Sequence, residues 1–141
     1  MATRTRYIVG FTLLSVLAAF LLPAMPQPET YHDFADHREM LGVANFFDVA
    51  TNAAFVLAGL AGFAVVLWPR TEFAANRERW PYAVFFIGMV LTGLGSAYYH
   101  LVPDNERLFW DRLPMTIAFM SLIAAQVVDR IDTKTGLVLL V

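Results

Sequence analysis

Four long apolar segments, separated by short polar stretches, dominate the pattern of hydrophobic and polar positions along the chain. They cover residues 7–25, 46–68, 82–102 and 113–128, and a further apolar run begins at Gly136. Each approaches or exceeds the ~17–25 residues that cross a bilayer as a helix. The prolines in the intervening stretches are typical of helix ends: Pro23, Pro26, Pro28, Pro69, Pro81 and Pro103. The pattern predicts an all-α, multi-span transmembrane helical bundle with four spans and the start of a fifth.

The composition favours lipid over water as the surroundings of these helices. Apolar residues make up 58% of the chain and charged residues 16%, against about 25% charged in soluble domains. A soluble fold would need helices that are apolar on every side in a chain too short to bury them. The net charge of −2 gives no indication of a nucleic-acid partner, and the chain has no cysteine and only three histidines. A metal site must therefore use few ligands.

Residues 1–30 are predicted to form an N-terminal anchor helix. Arg4 and Arg6 precede the first apolar segment, which is also the arrangement of a signal peptide. The sequence Pro-Ala-Met-Pro-Gln after Leu22 offers no A-x-A cleavage site, and the apolar segment is long. An uncleaved anchor is therefore favoured, with a signal peptide as the alternative. Residues 31–141 would form the rest of the membrane domain.

The distribution of basic residues predicts the orientation of the bundle, because Lys and Arg near helix ends tend to stay on the cytoplasmic side. A cytoplasmic N-terminus places seven of the ten basic residues on that side: Arg4, Arg6, Arg70, Arg77, Arg79, Arg130 and Lys134. Most acidic residues then lie on the opposite, periplasmic or lumenal side: Glu29, Asp33, Asp36, Glu39, Asp48, Asp104, Glu106 and Asp111. The polar mouth of the bundle is therefore predicted to face outward.

Polar residues recur at helical spacing at this mouth, where residues four apart share a helix face. The third segment carries Gly88, Thr92, Ser96 and His100, and the second carries Asn45, Asp48 and Asn52. Asp111 begins the fourth segment after a predicted outer loop at residues 103–110. Taken singly, hydroxyls of this kind bond back to the backbone, and carboxylates at helix ends are solvated. Their convergence predicts a site, because ionisable groups in membrane helices tend to face working interiors.

Two stretches of the chain contain a recognisable motif. Ser96 and His100 lie in "GSAYYH", within "GLGSAYYHLVPDNERLFWDRLPMTIAFM", and Asp111 follows eleven residues after His100 in "WDRLPM". Together with "YHDFADHREMLGVANFFDVATNAAFVLAG", these residues resemble the alkaline ceramidase family, which belongs to a superfamily of seven-span membrane hydrolases. The family mark is Ser-x3-His, an Asp about eleven residues later, and His-x3-His in the last helix. The resemblance covers about residues 31–128.

The resemblance implies a zinc-dependent membrane amidohydrolase that cleaves the amide bond of a ceramide-like N-acyl lipid taken from the bilayer. It assigns His100 as the first of three histidine ligands of zinc. Asp111 would accept a hydrogen bond or proton from the attacking water, and Ser96 would contact the substrate carbonyl or its oxyanion. Three imidazoles leave Zn²⁺ an open fourth position, where the pKa of a water falls to about 7.

The His-x3-His pair of the family has no counterpart in the sequence. His32 and His37 are five residues apart in a proline-flanked loop and do not fit that motif. We therefore expect either the N-terminal part of a seven- or eight-span protein or a degenerate relative without catalysis. The ending "GLVLLV" within an apolar run favours the fragment, which alone would be inactive.

A second set of residues resembles the acidic cluster that binds calcium in related ceramidases. The resemblance starts at "DFAD" and carries over to Asp33, the carbonyl of Phe34, Asp36 and Asn45. Oxygen ligands of this kind suit Ca²⁺. Arg38 falls near an expected neutral ligand and Asn45 replaces an expected carboxylate, so a solvated acidic loop is the alternative.

Two other classes of function compete with the hydrolase. One is a membrane receptor or scaffold of the same superfamily that keeps the helices without turnover. The other is a transporter-like bundle that uses Asp48 and Asp111 for protons, but the central turns of the predicted spans lack the charged residues that it would need. We otherwise expect Asp48 and Asn52 to be structural polar residues.

Overall fold

The structure, a computed structural model, describes residues 3–23 and 25–140, and within these ranges it contains α-helices and no strand. The helices are α1 (Thr3–Leu21), α2 (Phe46–Ala50), α3 (Ala53–Leu67), α4 (Arg79–Leu101), α5 (Asn105–Arg130) and α6 (Thr133–Val138), with short 3-10 turns at Glu29–His32 and Asn76–Glu78. This confirms the predicted all-α bundle. Met1, Ala2, Ala24 and Val141, which belong to the predicted units 1–30 and 31–141, lie outside the described residues.

Three stretches of the described chain are long and apolar enough to cross a membrane: Phe46–Leu67, Asn76–Leu101 and Asn105–Arg130. Only 17%, 22% and 28% of their most apolar windows is buried inside the protein. So much exposed apolar surface is unfavourable in water and favourable in lipid, which is consistent with an integral membrane protein. The first predicted span forms a helix too, but its apolar part, Thr5–Leu21, is shorter than the other three.

Helix α4 lies between α3 and α5 and packs closely against both. On the α3 side, a Cβ added to Gly59 would lie 2.9 Å from the carbonyl oxygen of Phe86. On the α5 side, a Cβ added to Gly88 would lie 3.0 Å from the Cα of Ala118. Small residues therefore allow the backbones to approach, which is how helices gain packing energy in lipid.

Helix α5 begins earlier than the hydrophobic pattern predicted. The predicted outer loop at residues 103–110 is wrong, because α5 is helical from Asn105 onward. Asp104 caps this helix, and its Oδ1 accepts a hydrogen bond of 2.7 Å from the backbone nitrogen of Arg107. A capping carboxylate satisfies a backbone donor that has no partner within the helix. Asp111 consequently lies inside α5 rather than at its start.

The last apolar run forms α6, which begins at Thr133, three residues before the predicted start at Gly136. Asp132 caps it, and its Oδ2 accepts hydrogen bonds of 2.8 Å from both the backbone nitrogen and the hydroxyl of Thr135. These bonds hold the pKa of Asp132 below its usual range. A capping residue outside the apolar run therefore sets the helix boundary.

Helix α1 is attached to the rest of the bundle near its two ends. The hydroxyls of Thr5 and Thr135 form a buried hydrogen bond of 3.0 Å. Beyond the other end, Asn105 accepts from the backbone nitrogen of Gln27 at 2.7 Å and donates to its carbonyl at 3.0 Å. An apolar cavity of about 480 Å³ separates the middle of α1 from α4, α5 and α6.

Candidate functional site

The residues that the sequence singled out meet at the C-terminal end of α4, which we call the His100 end. It consists of the last two turns of α4, residues 29–45, helix α2 and the first turns of α5. Ser96 and His100 lie one turn apart on α4, and both are half-buried. Thr92, one turn further back, donates a 2.8 Å hydrogen bond to the carbonyl of Gly88, which is the ordinary structural role of such a hydroxyl.

The imidazole of His100 has a free buried nitrogen. Its ring lies edge-on to the ring of Phe34, with 4.6 Å between centroids, and its Nδ1 is buried without a hydrogen-bond partner. A buried polar atom without a partner is costly, so this nitrogen is suited to bind a group that the protein alone does not supply. His100 therefore fits the role of one ligand of a zinc ion.

A second imidazole, that of His32, contacts Tyr99, the residue before His100, with 5.8 Å between the ring centroids. His32 Nδ1 is 2.7 Å from the hydroxyl of Tyr99, and His32 Nε2 is buried without a partner. The ring of Tyr99, which is only 2% exposed, lies 5.2 Å from that of His100. The sequence does not point to His32, because this residue fits no motif and nothing in the local sequence connects it with Tyr99, 67 positions away.

The metal-ligand set is not complete in the part of the chain that the structure describes. Within residues 3–23 and 25–140, no group of three or more His, Asp or Glu side chains could hold a metal ion. His100 has an unpartnered buried nitrogen, but the described residues do not complete a three-ligand metal site around it.

Asp111 approaches α4 through a close backbone contact. A Cβ added to Gly95 would overlap the carbonyl oxygen of Trp110 and lie 3.5 Å from the backbone nitrogen of Asp111. Because Gly95 directly precedes Ser96, this contact brings Asp111 to the level of Ser96 along the bundle. The Asp111 side chain is only 13% exposed, and its Oδ2 lies 3.5 Å from Nε of Arg112.

Pro114 explains why the Trp110 carbonyl is available for this contact. It lies inside α5, and proline has no N–H to donate to the carbonyl four residues earlier, which is that of Trp110. The carbonyl instead faces the Cα of Gly95, an arrangement typical of weak Cα–H···O contacts between helices. A proline on α5 and a glycine on α4 therefore set the position of Asp111 together.

Arg112 connects α5 to the segment that carries His32. Its guanidinium donates to the hydroxyl of Tyr31 and lies 5.9 Å from the centre of the Tyr31 ring. Tyr31 and His32 are both in the 3-10 turn before the acidic segment. The contact fixes this turn beside Asp111.

The acidic segment that resembles a calcium site has other partners in the structure. Asp36 is 5% exposed, its Oδ1 accepts from Nε of Arg38 at 2.6 Å, and its Oδ2 accepts from the backbone nitrogen of Phe47 at 2.8 Å. The Arg38 guanidinium holds the pKa of Asp36 below its usual range, and the Phe47 hydrogen bond acts in the same direction. Asp33 is largely exposed and lies 3.5 Å from His37. Because both Asp36 oxygens are engaged and a cation would be repelled by Arg38, this arrangement does not fit a calcium ion at Asp36.

The predicted polar face of Asn45, Asp48 and Asn52 is not one continuous helix face. Asn45 precedes α2 with φ of +49°, and its amide donates to the carbonyl of His100 at 2.8 Å. Asn52 is buried at the junction of α2 and α3, and its amide donates to the carbonyl of Asp48 at 2.7 Å. One carboxyl oxygen of Asp48 is buried without a partner, which adds a third unpaired polar atom at the His100 end.

The fold and the site together define an all-α helical bundle, consistent with an integral membrane protein, with a polar cluster at one end of its central helix. No family model, curated protein or solved structure matches the chain. The functional argument therefore depends on the residues and their geometry.

Proposed function

We propose that this chain is the histidine–aspartate half of a zinc-dependent membrane amidohydrolase of the alkaline ceramidase type. The observation that carries the proposal is the contact of Gly95 with Trp110, which brings Asp111 to the level of Ser96, one helix turn from His100 and its unpartnered buried nitrogen. The substrate class is a ceramide-like N-acyl lipid that enters from the bilayer.

Three polar groups at the His100 end have a role in this hydrolysis. His100 is one ligand of the metal, which when bound supplies a Lewis acid at the scissile amide. Asp111 accepts the proton of the attacking water, in general-base fashion. Ser96 donates a hydrogen bond to the carbonyl oxygen as negative charge develops there.

The proposal includes the orientation of the bundle and the origin of the remaining ligands. The distribution of basic residues supports a His100 end that faces the periplasmic or lumenal side. The resemblance implies that the further metal ligands are the His-x3-His pair of the family, which this sequence does not contain.

The test is zinc content and fatty-acid release from N-acyl lipids, measured on the full-length protein. His100→Ala is expected to lose both, and Asp111→Asn to keep zinc while activity falls by about 10²–10⁴-fold. His37→Ala is the matched control, because this histidine is 71% exposed at the same end of the bundle. Wild-type zinc and activity in His100→Ala would overturn the assignment.

The same experiment distinguishes the proposed hydrolase from a membrane receptor or scaffold that has no enzymatic turnover. This alternative is supported by the lack of a three-ligand group among residues 3–23 and 25–140. It predicts saturable lipid binding with no bound zinc and no fatty-acid release in the full-length protein.

A further inference from the structure

A tight turn in the segment before α2 carries an exposed leucine in an unfavourable conformation. The backbone nitrogen of Val43 donates to the carbonyl of Met40 at 2.9 Å, and the nitrogen of Met40 donates to the carbonyl of Val43 at 3.1 Å. Between them, Leu41 has φ of +55° and Gly42 has φ of +75°. These signs are those of a type I′ hairpin turn, whose first position usually holds Asn, Asp or Gly.

Burial of the Leu41 side chain inside the protein does not compensate for this strain. Its side chain is 90% exposed, whereas a leucine with positive φ is disfavoured by contact of its Cβ with the backbone. A strained backbone conformation of this kind persists only where the surrounding structure enforces it, and such positions are often found at functional sites.

The base of this turn is fixed to the start of the first membrane-length stretch, at Phe46. The carbonyl of Arg38 accepts from the backbone nitrogen of Phe46 at 3.0 Å, and Asp36 ties Arg38 to Phe47 through its two oxygens. The tip is therefore presented on a rigid support rather than on a loose loop.

The tip lies close to the level at which a membrane surface must begin. Phe46 is the first residue of a stretch long and apolar enough to cross a bilayer. Val43 lies three positions before Phe46, which is about 10 Å of extended chain at most. The headgroup layer on each side of the hydrocarbon core is about 5–8 Å thick, so the tip is within reach of it.

We propose that the turn at residues 40–43 inserts Leu41 into the boundary between headgroups and acyl chains of the bilayer. A protein partner would need about 800 Å² of contact surface, and the tip offers the side chains of Met40 and Leu41, 43% and 90% exposed. Insertion into lipid requires no such minimum, because each apolar side chain gains separately from leaving water.

The absence of cysteine from the sequence makes a labelling test direct. Leu41→Cys and the control Glu39→Cys, both exposed positions of the same segment, are labelled with an environment-sensitive fluorophore, and the protein is reconstituted in phosphatidylcholine vesicles. We expect blue-shifted emission at position 41 and quenching by lipids brominated near the headgroup at least about twofold stronger than at position 39. Equal quenching at the two positions, or a blue shift that disappears as lipid is added to dilute the protein, would overturn the proposal.

A second variant separates immersion from folding. Leu41→Asn relieves the strain but also removes contact of the apolar side chain with the detergent micelle, so its unfolding midpoint in detergent is expected to stay within about 4 °C of the wild type. A larger fall would mean that Leu41 holds the fold together, and it would overturn the proposal.

Discussion

The side-chain amide of Asn45 donates a 2.8 Å hydrogen bond to the backbone carbonyl of His100. Carbonyls in the last turn of a helix have no partner within that helix, so Asn45 satisfies one of them and fixes the end of α4. The bond joins the segment before α2 to the helix that carries the proposed metal ligand. The direction of this hydrogen bond matters, because the side-chain amide of Asn45 can donate to a carbonyl, whereas an aspartate carboxylate at the same position could not.

Asn45→Asp is therefore expected to lower the free energy of unfolding by about 1–3 kcal/mol, because a carboxylate would face the His100 carbonyl. Asp tolerates a positive φ about as well as Asn, so the backbone at this position is not perturbed. Asn45→Gly is the matched variant, since it keeps the φ of +49° and removes the donor without adding a charge. Denaturant unfolding in detergent measures both, and an Asn45→Asp protein as stable as wild type would contradict the hydrogen bond.

Gly95→Ala is expected to destabilise the bundle by about 1–3 kcal/mol, because the new methyl group must force α4 and α5 apart. Gly10→Ala is the control, since a Cβ at Gly10 meets nothing within 4 Å. In an exposed helix that change favours the folded state by up to about 1 kcal/mol. Thermal unfolding of the two variants should thus shift in opposite directions. Shifts of the same sign would rule out close packing at Gly95.

Pro114→Ala is expected to lower activity without lowering stability. The alanine N–H restores a hydrogen bond to the Trp110 carbonyl, worth up to about 3 kcal/mol in a helix interior, and draws that carbonyl away from Gly95. Asp111 then turns relative to Ser96. Hydrolysis by the full-length protein and its unfolding midpoint are measured together.

Pro81→Ala is the control for this experiment, because Pro81 lies in the first turn of α4 at the far end of the bundle, where an N–H has no helical partner. Activity is expected to stay at the wild-type level in Pro81→Ala. Full activity in Pro114→Ala would show that the proline does not position Asp111.

Acid is expected to weaken the His100 end through Asp36. Its pKa is lowered in the folded protein, chiefly by the Arg38 hydrogen bond, so its ionised form contributes stability above the unfolded pKa of about 3.9. That contribution is lost as the pH falls through the lower, folded pKa. Unfolding midpoints measured from pH 7 downward should therefore decline below about pH 4.

Asp36→Asn and Arg38→Met should each be less stable at neutral pH and show a flatter decline in this range. The double variant should be little worse than either single one, because both remove the same interaction. Additive losses, or a decline in Asp36→Asn as steep as in the wild type, would assign the acid sensitivity to other groups.

The apolar segments predicted the helices well because a long apolar run in lipid must satisfy its backbone hydrogen bonds internally. They failed at α5, because hydropathy reports contact with lipid rather than helicity, and five of the eight helical residues 105–112 are polar or charged. The residue that could have indicated the earlier start of α5 is Asp104, because Asp is a common residue at the N-cap of a helix. The spacing of Ser96, His100 and Asp111 could be recognised in the sequence. Ser96 and His100 are four residues apart and so share a helix face, and Asp111 follows eleven residues after His100, as in the family motif.

The rest of the site depends on contacts between distant parts of the chain. Nothing local indicates that His32 meets Tyr99 or that Asp36 caps α2, because these partners are 67 and 11 residues away. Gly95 and Pro114 could have been paired in principle, but only once the register of α4 against α5 was known.

The attachment of α1 near its two ends has a consequence for the order of assembly. Its hydrogen bonds join residues 130 and 78 positions apart, Thr5 with Thr135 and Gln27 with Asn105. Helix α1 is synthesised before Asn105 and Thr135, so it cannot take its final place until the chain has been synthesised as far as Thr135. The attachment of α1 at both ends is therefore complete only after α6 has been added.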